Sequence, residues 1–220
     1  AHYGHSRAHC CGKADRPLPD FVTRNALKNV QGNTPDMPFS TAADVIVPVD
    51  LLGRATAGIG HLNARVDVDG GIRSEPLVLA HFGELYPALS MLIAAQSLNL
   101  GPADIKVTLG EGVNLANLRI TTDPRLQMYT YFYKDRDGRP AFPVDSFFDV
   151  YSGKIPADRY KDKIVLVGPT APGLGTASVT PVSPAMAPVL ALAHSVSSIL
   201  QEHFFVVPTW GVWAEYGAYL

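Results

Sequence analysis

The hydrophobic positions of the chain indicate two helices of different character. From residue 188 onward, apolar side chains recur at positions 189, 192, 193, 196, 199 and 200, which is the spacing of one helical stripe. An earlier segment, from Tyr86-Pro87 to about Asn99, is apolar nearly all round, and its proline suits a first helical turn. We therefore predict one helix that packs on a sheet along one face and one that is buried on most of its surface.

Shorter apolar runs predict strands. Residues 163–168 form a continuous apolar run bounded by charge and glycine, which is typical of a central strand covered on both faces. Residues 45–49, 51–57 and 58–63 are interpreted as strand, short helix and strand.

Two turn signals predict β-hairpins. The first signal lies within residues 65–79, where an Asp-x-Asp-Gly turn formed by Asp67, Asp69 and Gly70 falls between apolar segments. The second is an Asp-x-Asp-Gly turn at 135–138, which separates residues 128–134 from 140–144. With the helices, these patterns predict an α/β fold: a mixed, mostly central sheet flanked by helices, with β-hairpin insertions. Residues 1–44 lack either periodicity and are predicted to be a loop-rich, partly disordered segment.

Composition excludes several functions. The 220 residues carry 18 Lys+Arg against 20 Asp+Glu, for a net charge of -2, and no basic run, so nucleic-acid binding is not expected. The length suits one domain, and no window of 18 apolar residues occurs. The only cysteines are Cys10 and Cys11, which are adjacent and cannot staple a fold.

Motifs for catalysis or cofactors are weak. The glycine-rich stretch 168–175 lacks the lysine that a phosphate loop needs. The two Asp-x-Asp-Gly turns lack the remaining ligands of a calcium loop, so we interpret their carboxylates as turn caps. The N-terminal histidines and cysteines lie in a segment without structural pattern and indicate adventitious metal binding. We predict no enzyme, no cofactor and no metal site.

Two series of motifs, spread over residues 45–209, together resemble the CHASE2 family of extracytoplasmic sensor domains of bacterial membrane receptors. The first series comprises GIGHLN at 58–63, DVDGGIR at 67–73 and YPALS at 86–90; the second comprises GKIP at 153–156, KIVLVG at 163–168 and the following Thr170-Ala171, Gly173-Leu174 and Thr180-Pro181. The chain departs from the family at 189–194, where a Glu and a His are lost, and at Thr176, where an Asp often stands.

The resemblance implies a sensory domain at residues 45–209, on the periplasmic side of the inner membrane. It would detect a small-molecule ligand or an extracytoplasmic partner and regulate an adenylate cyclase, a Ser/Thr kinase or a histidine kinase through flanking transmembrane helices. Residues 210–220 would then be a juxtamembrane segment, with Trp210, Trp213, Tyr216 and Tyr219 suited to the water–lipid interface. Packing of this aromatic segment on its own domain is the alternative.

Binding sites of open α/β sheets lie at the carboxyl ends of strands, so the loop at 168–187 is the first candidate ligand site. Its candidate residues are Thr170, Thr180, Ser183 and, from the following helix, His194. Arg73, with Asp67 and Asp69, is the second candidate, because its planar fork can bind a carboxylate. For this trio, a structural salt bridge within the hairpin is the favoured alternative.

Two other functions stay open. One is a soluble α/β enzyme or nucleotide-binding domain with an unrecognised site at the 168–187 loop. The other is an interaction module that signals by forming a homodimer.

Overall fold

The computed structural model describes residues 17–32, 40–137, 139–171, 177–205 and 217–218. Its helices are α1 (Asp20–Thr23), α2 (Asp50–Ala55), α3 (Leu89–Ser97), α4 (Phe147–Tyr151) and α5 (Pro188–Leu200), with 3-10 turns at Pro102–Asp104 and Ala157–Tyr160. Its strands are β1 (Val30–Gln31), β2 (Ser40–Thr41), β3 (Arg65–Val66), β4 (Ile72–Pro76), β5 (Val78–His81), β6 (Glu84–Pro87), β7 (Ile105–Thr108), β8 (Gly112–Leu115), β9 (Leu118–Thr121), β10 (Gln127–Thr130), β11 (Ser178–Thr180), β12 (Ser183–Met186) and β13 (Phe204–Phe205).

The predicted mixed α/β class is confirmed, with the strands distributed over several sheets. The strand orders are β1-β7-β8-β9, β13-β10-β4-β3, β2-β5-β6 and the pair β11-β12. Most neighbouring strands are antiparallel, whereas β1 with β7 and β2 with β5 are parallel. The predicted hairpin at 65–79 is present as β3 and β4, and its turn uses Gly70 at φ +80°, a conformation that glycine adopts without strain.

The main core lies between the β7-β8-β9 sheet and the two long helices. Alternating residues of these strands point inward, so Ile105, Val107, Val113, Leu115 and Ile120 are fully or almost fully buried. They share one apolar cluster with Met91, Ala94 and Ala95 of α3 and Ile199 of α5. The small residues of α3 permit the close packing of α3 against α5.

The predicted α5 is confirmed, since Val196 and Ile199 of its apolar stripe are buried. The earlier helix begins at Leu89 rather than at Pro87, because Pro87 is the last residue of β6 and pairs with Val78. The helix buries Ser90, Met91, Ala94 and Ala95, whereas Leu98 at its end is exposed. Its burial is therefore less complete than the sequence predicts.

The predicted central strand at 163–168 is wrong. These residues form no strand and pair with none among the described residues, and Ile164, Val165 and Val167 are exposed. The predicted strand at 45–49 is also wrong: Pro48 has no N–H to donate, and Ile46 and Val49 are exposed. An apolar β-branched run becomes a strand only where a partner strand offers pairing and burial.

Two further strand predictions are only partly fulfilled. Within residues 58–63, His61 alone forms an isolated bridge, to Ala88. The hairpin predicted at 128–144 shortens to β10 and a turn in which Arg136 and Arg139 exchange backbone hydrogen bonds. Pro140 and Pro143 cannot donate to a returning strand, which explains why the ladder ends there.

The N-terminal segment contributes to packing where it is described. Phe21 and Val22 of α1 are buried and pack with Tyr86, and the N–H of Leu27 donates to the carbonyl of Leu85 at 2.8 Å. The buried amide of Asn25 donates to Phe21 O and accepts from the N–H of Ile59. Residues 1–16 and 33–39 of the segment predicted to be loop-rich lie outside the described residues.

Candidate functional site

A cavity of about 370 Å³ lies between β4, β10 and the first half of α5. Its volume is within the range of sites that enclose small molecules. The lining residues are Leu62, Asn63, Ala64, Ile72, Ser74, Glu75, Leu89, Thr130, Phe132, Val167, Gly168, Pro169, Ser178, Pro188, Val189, Ala191, Leu192 and Ser195. Most of these side chains are apolar, and a few polar groups are placed among them, which is the usual composition of a small-molecule site.

The floor of the cavity holds a buried carboxyl group. Glu75 is on β4, which pairs with β3 on one side and β10 on the other, and the residue is only 8% exposed. The hydroxyl of Ser90 donates to Glu75 Oε1 at 2.8 Å, whereas Oε2 has no hydrogen-bond partner among the described residues. Burial raises the pKa of this carboxyl above its usual range, and the nearby hydroxyls of Ser195 and Ser90 oppose the shift only in part.

Buried hydroxyl groups connect the strand and helix walls of the cavity. Thr130 Oγ1 and Ser195 Oγ are 3.3 Å apart and link the end of β10 to α5. One turn further along α5, Ser198 Oγ accepts from the N–H of Tyr131 at 3.0 Å and donates to its carbonyl at 3.2 Å. These bonds fix α5 against β10, so the helix wall and the strand wall of the cavity form one unit.

The mouth of the cavity is formed by exposed chain. Leu62 is 66% exposed and Val167 is 76% exposed. At Gly168 the backbone lies so close to α5 that an added Cβ would be 2.7 Å from Cβ of Val189. The end of the apolar run at 163–168 therefore packs on the start of α5, and Val167, Gly168 and Pro169 form one rim of the cavity.

Comparison with known families identifies the chain. The model of the CHASE2 domain family matches residues 8–220, which is nearly the whole sequence and includes every residue of the cavity. The chain belongs to the CHASE2 family. CHASE2 domains are extracytoplasmic sensor domains of signalling receptors and are not catalytic. No curated protein and no solved structure matches the chain significantly.

The loop residues predicted to bind a ligand do not line the cavity of this CHASE2 domain. Thr170 is exposed, and Thr180 and Ser183 form the turn of the β11-β12 hairpin. In that turn Thr180 Oγ1 accepts from the N–H of Ser183 at 3.2 Å. Ser178 of the same hairpin and Gly168 and Pro169 of the same loop do reach the cavity.

His194 belongs to an aromatic cluster instead. Its Nδ1 accepts a hydrogen bond from the N–H of Tyr133 at 3.2 Å, and its ring stacks on that of Tyr133 and contacts Phe132 and Phe142. Ser195 lines the cavity, whereas the ring of the preceding His194 lies among these aromatic side chains. Burial lowers the pKa of His194 to about 4, an effect that the charge of Asp135 opposes.

The second predicted constellation is a salt bridge within its own turn. Arg73 Nη1 lies 2.8 Å from Asp67 Oδ2, and Nη2 lies 2.6 Å from Asp69 Oδ2. The guanidinium hydrogen bond holds the pKa of the Asp69 carboxyl far below its usual range. This is the arrangement of the structural alternative, and it is outside the cavity.

Sequence reasoning missed Glu75, the most buried carboxyl group of the site. The residue stands between Ser74 and Pro76, directly before the apolar stretch that begins at Leu77. A charge beside a predicted buried stretch was the one signal, but Arg73, Ser74 and Glu75 together are typical of an exposed hairpin arm. Only the pairing of β4 on both sides shows that the carboxyl is enclosed.

Other expected features concern metals and membranes. The described residues contain no group of three or more His, Cys, Asp or Glu side chains arranged to hold a metal ion. The N-terminal cluster of His2, His5, His9, Cys10 and Cys11 lies outside them. No helix within the described ranges combines the length and apolar character needed to cross a membrane.

Proposed function

We propose that this CHASE2 domain is the periplasmic sensory domain of a transmembrane receptor, and that a small molecule in the cavity is its signal. Flanking transmembrane helices would connect it to an adenylate cyclase, a Ser/Thr kinase or a histidine kinase. Family membership supports the sensory role, and a cavity of about 370 Å³ supports a small molecule rather than a protein partner as the stimulus.

The position of α5 is the observation that carries the proposal. Val189, Leu192 and Ser195 of α5 line the cavity, while Ile199 near its end is in the main core. After α5 the chain continues through β13, which pairs with β10, towards the predicted juxtamembrane segment. A ligand that moves α5 and the β10 strand bonded to it therefore acts on the elements that lead to the C-terminus.

The proposal is tested in the full-length protein with paired variants of α5. Ala191→Leu adds bulk inside the cavity, whereas Ala193→Leu adds the same bulk on the same helix outside the cavity lining. We expect Ala191→Leu to change the basal cyclase or kinase output severalfold and Ala193→Leu to leave it within about twofold, in protein of equal unfolding temperature.

Equal output from the two variants would contradict the proposal. So would a full-length gene that encodes no apolar stretch of about 20 residues on either side of this domain, since a receptor of this kind needs a transmembrane helix.

A further inference from the structure

The described cavity lining contains one acidic side chain and no basic one. Among the described lining residues, Glu75 has the one side chain that can carry a charge at neutral pH, because the others are apolar, hydroxyl or amide groups. A buried carboxylate without a cationic partner is costly, and one of its oxygens is unpartnered among the described residues. An anionic ligand would meet no Lys, Arg or His among the described residues of the cavity lining.

A cationic ligand would supply both the missing positive charge and a hydrogen-bond donor for the unpartnered oxygen of Glu75. An ammonium group supplies three N–H donors and a positive charge, so one donor can bond to Glu75 Oε2 and another to the oxygen of Thr130 or Ser195. The remaining wall, formed by Leu89, Val189 and Leu192, suits a hydrocarbon body. Charge and shape therefore specify an apolar body with one cationic end.

We propose that the cavity binds a small organic amine, with its ammonium group paired to Oε2 of Glu75 and its hydrocarbon part against α3 and α5. This inference rests on the proposed function, in which the cavity is the sensory site, and adds the chemical class of the ligand.

Proton release accompanies this binding. In the free domain burial favours the protonated carboxyl, and the arriving ammonium favours the carboxylate. The amine binds in its protonated form, and at any pH at which the free carboxyl is protonated the proton of Glu75 passes to the buffer. Affinity for the amine therefore increases as pH rises towards the pKa of Glu75 in the free domain, whereas affinity for an uncharged analogue of the same shape does not.

The test is isothermal titration calorimetry of the 220-residue chain with benzylamine, benzyl alcohol and benzoate. We expect benzylamine to bind at least about tenfold more tightly than benzyl alcohol at neutral pH, and benzoate to bind more weakly than either. The titrations are repeated at decreasing pH in pairs of buffers with different ionisation enthalpies, and proton release should appear for benzylamine and for neither other probe once the pH falls below the pKa of Glu75 in the free domain.

Two variants sharpen the comparison. Glu75→Gln should remove the preference for benzylamine over benzyl alcohol, whereas Glu111→Gln, an exposed carboxyl between β7 and β8, should leave it unchanged. Should Glu75→Gln fail to fold, the amine-to-alcohol ratio and the proton release of the unmodified chain decide the question alone.

Equal affinities for benzylamine and benzyl alcohol, preference for benzoate, no binding of any probe, or an amine preference that survives in Glu75→Gln would each overturn the inference. These results are separate from the receptor assay. If Ala191→Leu alters output and no amine preference exists, the proposed sensory role of the cavity is kept and the amine ligand is rejected. If the amine binds and Ala191→Leu leaves output unchanged, the proposed function is rejected instead.

Discussion

Replacing His194 with Asn is expected to make the domain distinctly less sensitive to acid. Burial among aromatic rings lowers the pKa of His194 to about 4 in the folded protein, below its ordinary value of 6.5. Protonation would also remove the lone pair of Nδ1 that accepts the N–H of Tyr133. As pH falls below 6.5, this ring therefore becomes protonated in the unfolded chain. In the folded chain it stays neutral until about pH 4.

The stabilising contribution of the neutral ring is present above the unfolded pKa and is lost as pH falls through this window. For one histidine the loss is about 2 kcal/mol between about pH 7 and about pH 4.5. Asn keeps an acceptor oxygen near the position of Nδ1 but does not titrate. Urea unfolding of both proteins over this range should show the free-energy difference between wild type and His194→Asn falling by that amount.

His61 offers a matched comparison elsewhere in the fold. Burial lowers its pKa to about 4 as well, and its Nδ1 lies 3.4 Å from the N–H of Asn63. His61→Asn should show the same trend, and the double variant should lose both contributions. A difference between wild type and His194→Asn that stays constant with pH would contradict the account of the aromatic cluster.

The second large effect is expected at Glu75 and has the opposite sign. Burial raises the pKa of this carboxyl in the folded state above its ordinary value of 4.5, so the unfolded chain releases the proton first as pH rises. The wild type therefore loses stability, relative to Glu75→Gln, from about pH 4.5 upward and until the folded pKa is reached. The difference in unfolding free energy should grow by about 1.4 kcal/mol for each pH unit in that interval.

Ser90→Ala is the companion variant for this measurement. It removes the hydrogen bond from Ser90 to Glu75 Oε1, which together with the Ser195 hydroxyl favours the charged form. The folded pKa should rise further, so the interval of falling stability should extend to higher pH than in the wild type. An unfolding free energy of Glu75→Gln that runs parallel to the wild type at all pH values would show that the carboxyl is not enclosed.

The parts of the fold that could be predicted from the sequence are those in which local pattern and tertiary packing agree. The stripe of α5 and the Asp67–Gly70 turn are both present because each signal is complete within a short segment. The run at 163–168 failed because strand formation needs a partner, and no pattern within six residues shows whether one is adjacent. The packing of α1 was missed since a four-residue helix is too short for a periodic signal.

For the candidate site, the sequence predicted which segments come together but not which residues line the cavity. The expectation that the loop after 168 and the start of α5 lie together agrees with the contact of Gly168 with Val189. The individual residues were not predictable, because Ser195 and His194 differ by one position and face different surroundings. Glu75 comes from a strand more than 90 residues earlier, and its burial depends on strand pairing that the sequence does not display.

The most direct test of the central claim, that the cavity communicates with the C-terminus through α5, is amide NMR of the ¹⁵N-labelled chain during titration with benzylamine. The account predicts shift changes at Glu75 and Ser195 that continue along α5 to Ser198 and, through its hydrogen bonds, to Tyr131. The amides of α1, which packs in a separate apolar cluster, should change little. Shift changes that are absent, or that are confined to exposed residues away from the cavity, would contradict the account.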